Sequence, residues 1–240
     1  MKVNGMRLDR YLSNMGRGSR SQVKRLIRSG QVTVNSDTCR NEAMAVDPGS
    51  DEVTCAGEIV VYREFIYLML NKPAGVLTAT EDGRGRTVLD LIGPEIPKRG
   101  LFPVGRLDKD TEGLLLLTNH GELGHRLLAP QNHVPKRYYA RVTGAAGTVD
   151  QQAFATGVEL DDGYRTLPAG LELISSGEVS EVIVEIHEGK FHQIKRMFQT
   201  LGKRVLYLKR LTMGPLCLDE SLTSGSYREL TADEIKAIND

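Results

Sequence analysis

Apolar positions along the chain change their period several times, and each change marks an element. Leu8, Leu12 and Met15 recur at helical spacing and predict a short helix ending near Gly16. Ser19 or Ser21 can cap a second helix, with Val23, Leu26 and Ile27 as its buried stripe and Gly30 as its stop. Gln31 to Asn35 alternates as a short strand, Asp47-Pro48-Gly49-Ser50 reads as a turn, and Gly57 to Arg63 reads as a last strand running into a linker near residues 57–65. Further on, Phe65 to Asn71 is a continuous apolar run that predicts a buried strand, Lys72-Pro73-Ala74-Gly75 a turn, and Val88 to Ile92 a short helix closed by Gly93-Pro94. The four leucines Leu114 to Leu117 suggest a helix capped by Asp110 and Thr111 and stopped at Asn119-His120-Gly121. Tyr138 to Thr143 and Val179 to Ile186 read as strands. Ile194, Met197, Phe198 and Leu201 give Phe191 to Leu201 a helical period ending at Gly202, and Thr231-Ala-Asp-Glu234 is a capping box for a last helix.

These elements group into a small N-terminal module over residues 1–60 and a larger domain over residues 61–240. Strands mixed with few helices, without strict alternation, predict an α+β protein: a small α/β module, then a larger domain whose mixed, mostly antiparallel sheet is flanked by helices. No internal repeat, low-complexity tract or coiled coil interrupts them.

Composition narrows the class. With 40% hydrophobic and 26% charged residues in 240, the chain has the make-up of a soluble globular protein long enough to fold without staples. No apolar run approaches the ~20 residues that span a bilayer, and the N-terminus lacks the apolar segment of a secretory signal. Cys39, Cys55 and Cys217 form no CxxC pair and no even framework, which points to a reducing, cytoplasmic setting. The formal net charge is zero, but residues 1–31 hold eight basic side chains against one acid, Asp9. Arg20, Lys24 and Arg28 are four apart on the second helix and line one face, with Arg17 just before it. Such a face is either a solvated surface or a phosphate-binding one. The scarcity of aromatics and absence of Trp disfavour a non-specific single-strand binder.

The densest chemistry lies at Gly105-Arg-Leu-Asp-Lys-Asp-Thr-Glu-Gly113, where two carboxylates and two cations sit between Leu101-Phe-Pro-Val104 and the leucine run. Charges beside core-like flanks either pair or do chemistry. On spacing alone Asp108 or Asp110 could equally cap a helix or pair with Arg106. A second segment, Lys136-Arg-Tyr138, precedes a strand. A third, Glu188-Gly-Lys-Phe-His-Gln-Ile-Lys-Arg-Met-Phe198, places Lys195 beside an apolar stripe, where a cation wants a partner; a carboxylate near it would stay ionised. His187 and His192, five apart, match no trusted metal spacing, so no metal is expected. Gly83-Arg-Gly85 lacks the pattern of a phosphate loop. A glycosidase-type carboxylate pair is the nearest chemical rival, although Asp108 and Asp110 need not face one cleft.

The stretch Val104 to Leu123, with the second and third segments following in order and Tyr67-Leu-Met-Leu-Asn-Lys-Pro-Ala-Gly75 before it, resembles the RsuA-type ribosomal RNA pseudouridine synthases. The pattern of Arg7-Leu-Asp-Arg-Tyr-Leu12, Ser19 to Gly30 and Val32-Thr-Val-Asn35 resembles the S4 RNA-binding module. Together these likenesses cover nearly the whole chain. They imply isomerisation of a uridine to pseudouridine within ribosomal RNA, without cofactor or metal. Asp108 is then the nucleophile, Tyr138 the active-site tyrosine and Lys195 the cation facing the carboxylate. Lys72-Pro73 would be structural, Arg106 would contact RNA, and Arg7, Arg17, Arg20, Lys24 and Arg28 would meet phosphates. The His-Gln-Ile-Lys-Arg-Met-Phe form is more like the branch acting on small-subunit 16S rRNA than the branches acting on 23S rRNA. The expected partner is ribosomal RNA or a partly assembled small subunit, bound by a monomer. Two rivals stay open at this point: a non-catalytic S4-type assembly factor, and a nucleosidase or glycosidase.

Overall fold

The computed structural model of the chain describes residues 5–239 and separates into two units. One comprises the residues up to Ile66 together with Ile92–Leu101; the other comprises Tyr67–Leu91 and the residues from Phe102 on. Lys2, counted above in the basic stretch, lies outside the described residues.

In the first unit β1 (Met6–Arg7) leads into α1 (Leu8–Asn14) and α2 (Arg20–Arg28). Strands β2 (Val32–Val34), β3 (Asp37–Thr38), β4 (Ala45–Val46), β5 (Val53–Cys55) and β6 (Glu58–Ile59) follow. β1 pairs with β4, and the others form a four-stranded sheet in the order β3-β2-β5-β6. Ser19 caps α2: its hydroxyl accepts from Gln22 N at 3.4 Å, and the Gln22 side chain accepts from Ser19 N at 2.8 Å. Leu8, Leu12, Val23 and Ile27 pack with Val32, Val34 and Val53 in one buried cluster. The strand expected over Gly57 to Arg63 is only two residues long. Val60 makes the last ladder bond, N–H to Val53 O at 2.8 Å, and its own carbonyl accepts from the Tyr11 hydroxyl at 2.6 Å, so the backbone turns into the core instead of continuing the sheet. Ile92–Leu101 joins this unit through Arg99, whose guanidinium donates to Ser13 Oγ at 2.7 Å.

The second unit is built on a nine-stranded sheet. Its strands are β7 (Tyr67–Lys72), β8 (Phe102–Pro103), β9 (Glu112–Thr118), β10 (Lys136–Thr143), β11 (Gly170–Ser175), β12 (Val179–Ile186), β13 (Val205–Met213), β14 (Leu216–Cys217) and β15 (Tyr227–Glu229). The order is β11-β12-β10-β13-β9-β7-β15, with β14 on β13 and β8 on β9. Only the β13–β9 pair is parallel. Helices α3 (Gly121–Leu128), α4 (Thr148–Thr156), α5 (Gln193–Thr200) and α6 (Ala232–Asn239) flank it, which makes the protein α+β with a mixed, mostly antiparallel sheet.

The helix expected at Leu114 to Leu117 is instead β9, central in that sheet. All four leucines are fully buried. Leu114 and Leu116 belong to the cluster with Met69, Leu123, Leu127 and Met213. Successive strand side chains point to opposite faces, so a strand covered on both sides reads as an unbroken apolar run with no helical period to distinguish it. Asp110 and Thr111 therefore cap no helix; they belong to the turn that enters β9.

Gly113 in β9 has φ +99°, and a Cβ there would collide with the Arg210 carbonyl of β13. The parallel pairing of β9 and β13 needs that close backbone approach. Gly113→Ala is therefore expected to lower the unfolding free energy by about 2 kcal/mol or more. Gly121, with open space around its position, should accept alanine without loss; urea denaturation of the two variants checks the contrast.

Candidate active site

Asp108 sits in the turn between β8 and β9, and the turn is shaped by a buried cation. Lys72, at the end of β7, is fully buried. Its ammonium donates to the carbonyls of Pro73 (3.0 Å), Asp108 (3.1 Å), Lys109 (3.2 Å) and Thr111 (2.8 Å). Thr78 fixes the other side: its hydroxyl donates to Leu107 O at 2.8 Å and accepts from Leu107 N at 3.2 Å. With the backbone held from two sides, the Asp108 carboxylate is turned outward, 24% exposed. Burial lowers the Lys72 ammonium to about 8, although the nearby charges of Asp110, Glu112 and Asp108 oppose the shift.

Lys195 meets that carboxylate from α5. The Gln193–Thr200 helix buries Ile194, Met197 and Phe198, and Phe198 packs on Phe154 of α4. Lys195 projects from the side of this stripe to reach Asp108 Oδ2 at 2.9 Å and Asp110 Oδ1 at 2.6 Å. Burial alone would lower Lys195, but its bonds to Asp110 and Asp108 outweigh that and leave it raised. Burial would raise Asp110, and the Lys195 bond and charge bring it below the usual carboxylate range. Both carboxylates thus reach one ammonium, which sequence spacing did not require. Asp110 is 73% exposed, and only Asp108 lines the adjoining cavity.

That cavity, about 980 Å³, lies wholly within the second unit; its size suits a nucleotide. The alternation of β10 places Lys136 and Tyr138 on the buried face and Arg137 on the exposed one. Tyr138 and Lys136 line the cavity with Arg210, which stands opposite Tyr138 on β13. Tyr139, on the other face, packs edge-on against Tyr207. Burial, then the Arg210 charge, push Lys136 down to about 8. Arg106 is exposed beside Asp108 and also lines the cavity.

The far wall is the segment leading into α5. Buried Glu188 accepts from the Tyr164 hydroxyl (2.7 Å), Leu167 N (2.9 Å) and Gln193 Nε2 (2.9 Å). The Gln193 carbonyl oxygen accepts from Lys190 N at 2.9 Å. His192 adopts the left-handed region at φ 50° and places Nε2 3.5 Å from Asp108 Oδ1. Sequence reasoning named Asp108, Tyr138 and Lys195, of which Asp108 and Tyr138 line the cavity and Lys195 is bonded to Asp108, but gave no role to Lys136, Arg210, Glu188 or Phe191. Their signal lies only in the three-dimensional register, apart from the Glu188–Gln193 spacing. His187 is turned to His133 O and Glu185. Among the described residues no group of three or more His, Cys, Asp or Glu side chains is gathered to hold a metal.

In the first unit Arg7 pairs with buried Asp9 (2.9 Å), Arg17 with exposed Glu58 (2.7 Å) and Arg28 with half-buried Glu42 (2.6 Å). Arg20 is exposed on α2, and Lys24 on the same helix feels the charges of Asp9 and Glu42.

Comparison with known proteins gives this arrangement its class. The family described as RNA pseudouridylate synthase matches residues 66–200, and the S4 domain matches residues 6–53. The chain is 49% identical to the uncharacterized RNA pseudouridine synthase YtzG of Bacillus subtilis, covering 98% of this chain and 99% of that one. It is 38% identical to ribosomal small subunit pseudouridine synthase A of Vibrio cholerae (97% and 99% covered) and 37% identical to ribosomal large subunit pseudouridine synthase B of Bacillus subtilis (97% and 95% covered). A crystal structure of a pseudouridylate synthase superposes with a TM-score of 0.68 at 34% identity, covering 97% of this chain and 99% of that one. The chain belongs to the RNA pseudouridylate synthase family, joined to an S4 domain, and is therefore an isomerase. No described helix is long and apolar enough to cross a membrane.

The cations predict how turnover follows pH. Lys195 is raised and Asp110 lowered, so that pair stays charged from neutral to alkaline pH. Lys72 and Lys136 lose their protons near 8, and a neutral Lys72 has too few N–H donors for four carbonyls. Turnover should fall as pH rises through about 8. The fold should not fall with it. Both lysines hold protons less tightly folded (about 8) than at their ordinary value of 10.5, so their contribution to stability rises between those values. Rate profiles run beside melting curves check this; an alkaline loss that tracks melting would contradict it.

Proposed function

We propose that this protein converts one uridine of ribosomal RNA to pseudouridine, with Asp108 as the nucleophile. The observation that carries the reading is the Asp108–Lys195 ion pair at 2.9 Å, opening on a nucleotide-sized cavity that Tyr138 also lines. A uridine inside a folded helix is out of reach of such a recess, so it is flipped into it, at a cost of about a few kcal/mol that contacts repay. Tyr138 lies against the uracil. The Lys195 ammonium balances the Asp108 carboxylate, which assists cleavage of the C1′–N1 bond by attack on ribose, by addition to the base, or by removing a ribose proton to form a glycal. The freed uracil turns, C5 bonds to C1′, the C5 hydrogen leaves to solvent as a proton, and N1, released from the sugar, takes up a proton in its place. RNA length and mass are unchanged, unlike the outcome of a nucleosidase.

Each unit offers cations to the RNA. Arg106 stands at the cavity rim. Arg20, Lys24 and Arg28 lie on α2, Arg17 in the loop before it and Arg7 in β1. Arg17 already pairs with exposed Glu58, but exposed pairs contribute about 0–1 kcal/mol, so a phosphate can displace that pair at little cost; Arg7 and Arg28 hold the buried Asp9 and half-buried Glu42 and would meet a phosphate while keeping those partners. The target is small-subunit 16S rRNA, free or in a partly assembled particle in the cytoplasm. His192-Gln-Ile-Lys-Arg-Met-Phe198 supports that branch. A recess completed within one chain suits a monomer.

Tritium release from [5-³H]uridine-labelled 16S and 23S rRNA tests the reading. Release from 16S alone, abolished in Asp108→Asn while RNA binding persists, is the expected result; release from 23S alone would move the target, and a fully active Asp108→Asn would remove Asp108 from its role. Arg20→Ala and Lys24→Ala should each weaken binding and reduce the salt dependence of log Kd by about one counterion.

A further inference from the structure

Phe191 is 74% exposed although it lines the Asp108 cavity. A mobile loop would explain an exposed ring, but this segment is clamped. Gln193 accepts from the backbone N–H of Lys190 and donates to buried Glu188, so the residues on either side of Phe191 are fixed. One face of the ring is already covered: His192 stacks on it with centroids 3.8 Å apart and planes 18° from parallel. The left-handed backbone of His192, unusual for a residue with a Cβ, sets that stack and brings its imidazole to 3.5 Å from Asp108. Conformations of this kind persist where the surroundings enforce them, commonly at functional sites. The outcome is a short aromatic pile that begins beside the reactive carboxylate and ends in a flat apolar face at the cavity rim.

We infer that Phe191 is a stacking platform for the RNA base next to the flipped uridine. The inference rests on the function proposed above and adds a subsite to it. Flipping one nucleotide deprives its neighbour of a stacking partner, and that neighbour is left at the rim when the target is inside. The open face of Phe191 replaces the lost partner. Cations surround the place where the flanking phosphates must run: Arg106, Lys109 and Lys190 line the same cavity, and Lys190 is held over the Tyr164 ring at 4.3 Å. Every base has a π-face, so the platform contributes affinity and placement without reading sequence.

The test uses the full-length chain and an oligouridylate carrying a single 2-aminopurine, whose fluorescence falls on stacking. The wild-type protein and Phe191→Tyr should quench it. Phe191→Ala should not, and should bind about ten-fold more weakly, within the range known for base stacking on an aromatic side chain. Its log Kd should keep the wild-type salt slope, because no phosphate contact is lost; its melting temperature should be unchanged, because the ring is exposed. Absence of quenching by the wild-type protein, or equal quenching by Phe191→Ala, overturns the platform. Tritium release by the wild-type enzyme from ribosomal RNA is scored separately, so a failure of the proposed reaction is distinguishable from a failure of the stack.

Discussion

The Lys72 ammonium is the interaction on which the reactive turn depends. An ammonium in a protein interior is costly unless its protons are used. Here four carbonyls converge on it, three of them from the turn that carries Asp108. The turn cannot open without leaving a buried cation short of partners. Because the backbone oxygens point inward to Lys72, the Asp108 side chain points outward to Lys195. One lysine thus holds the main chain of the turn and the other holds its carboxylate. They come from elements far apart in sequence, β7 and α5, and the sheet sets the distance between them.

The sheet also makes the recess. β10, β13 and β9 are neighbours, and the period of two along β10 puts Lys136 and Tyr138 on one side. The β10–β13 register shifts between Arg137 and Tyr138, an irregularity of the kind that re-aims a side chain. Opposite, Glu188 ties the entrance of α5 to Tyr164 and Leu167, so the wall bearing His192 is as firmly placed as the floor. Preorganisation of this sort keeps a cavity ready for its ligand without rebuilding.

How much of this was legible in the chain depended on range. Local chemistry was legible: a serine cap on α2, which the structure gives to Ser19 and not Ser21, the alternation of Val179 to Ile186 and the Thr231–Glu234 box all formed, because each is decided within four to eight residues. The Leu114 to Leu117 run misled, since a strand buried on both faces has no period to betray it. β13 and α4 went unread: Val205 to Met213 mixes Lys209 and Arg210 into its alternation, and α4 has only Phe154 as a deeply buried apolar anchor. The site residues carried by motifs were named from sequence. Arg210 and Lys136 were not given roles, because what brings them together is the pairing of β10 with β13, and no local pattern encodes which strands become neighbours.

The two carboxylates of the turn show why spacing alone could not choose between them. Asp108 and Asp110 bind the same ammonium at similar distances, so the charge pairing does not distinguish them. Their surroundings do. Asp110 is largely in water and does not line the cavity; its pairing is the kind that solvent screens. Asp108 is two-thirds withdrawn from solvent or more, has His192 as a second neighbour and opens on the recess beside Tyr138. Of the two carboxylates, Asp108 is the one that both holds Lys195 and lines the cavity. A glycosidase needs two carboxyl groups flanking one bond; of the pair in this turn, one faces the cavity and the other faces water, so Asp108 and Asp110 do not form such a pair.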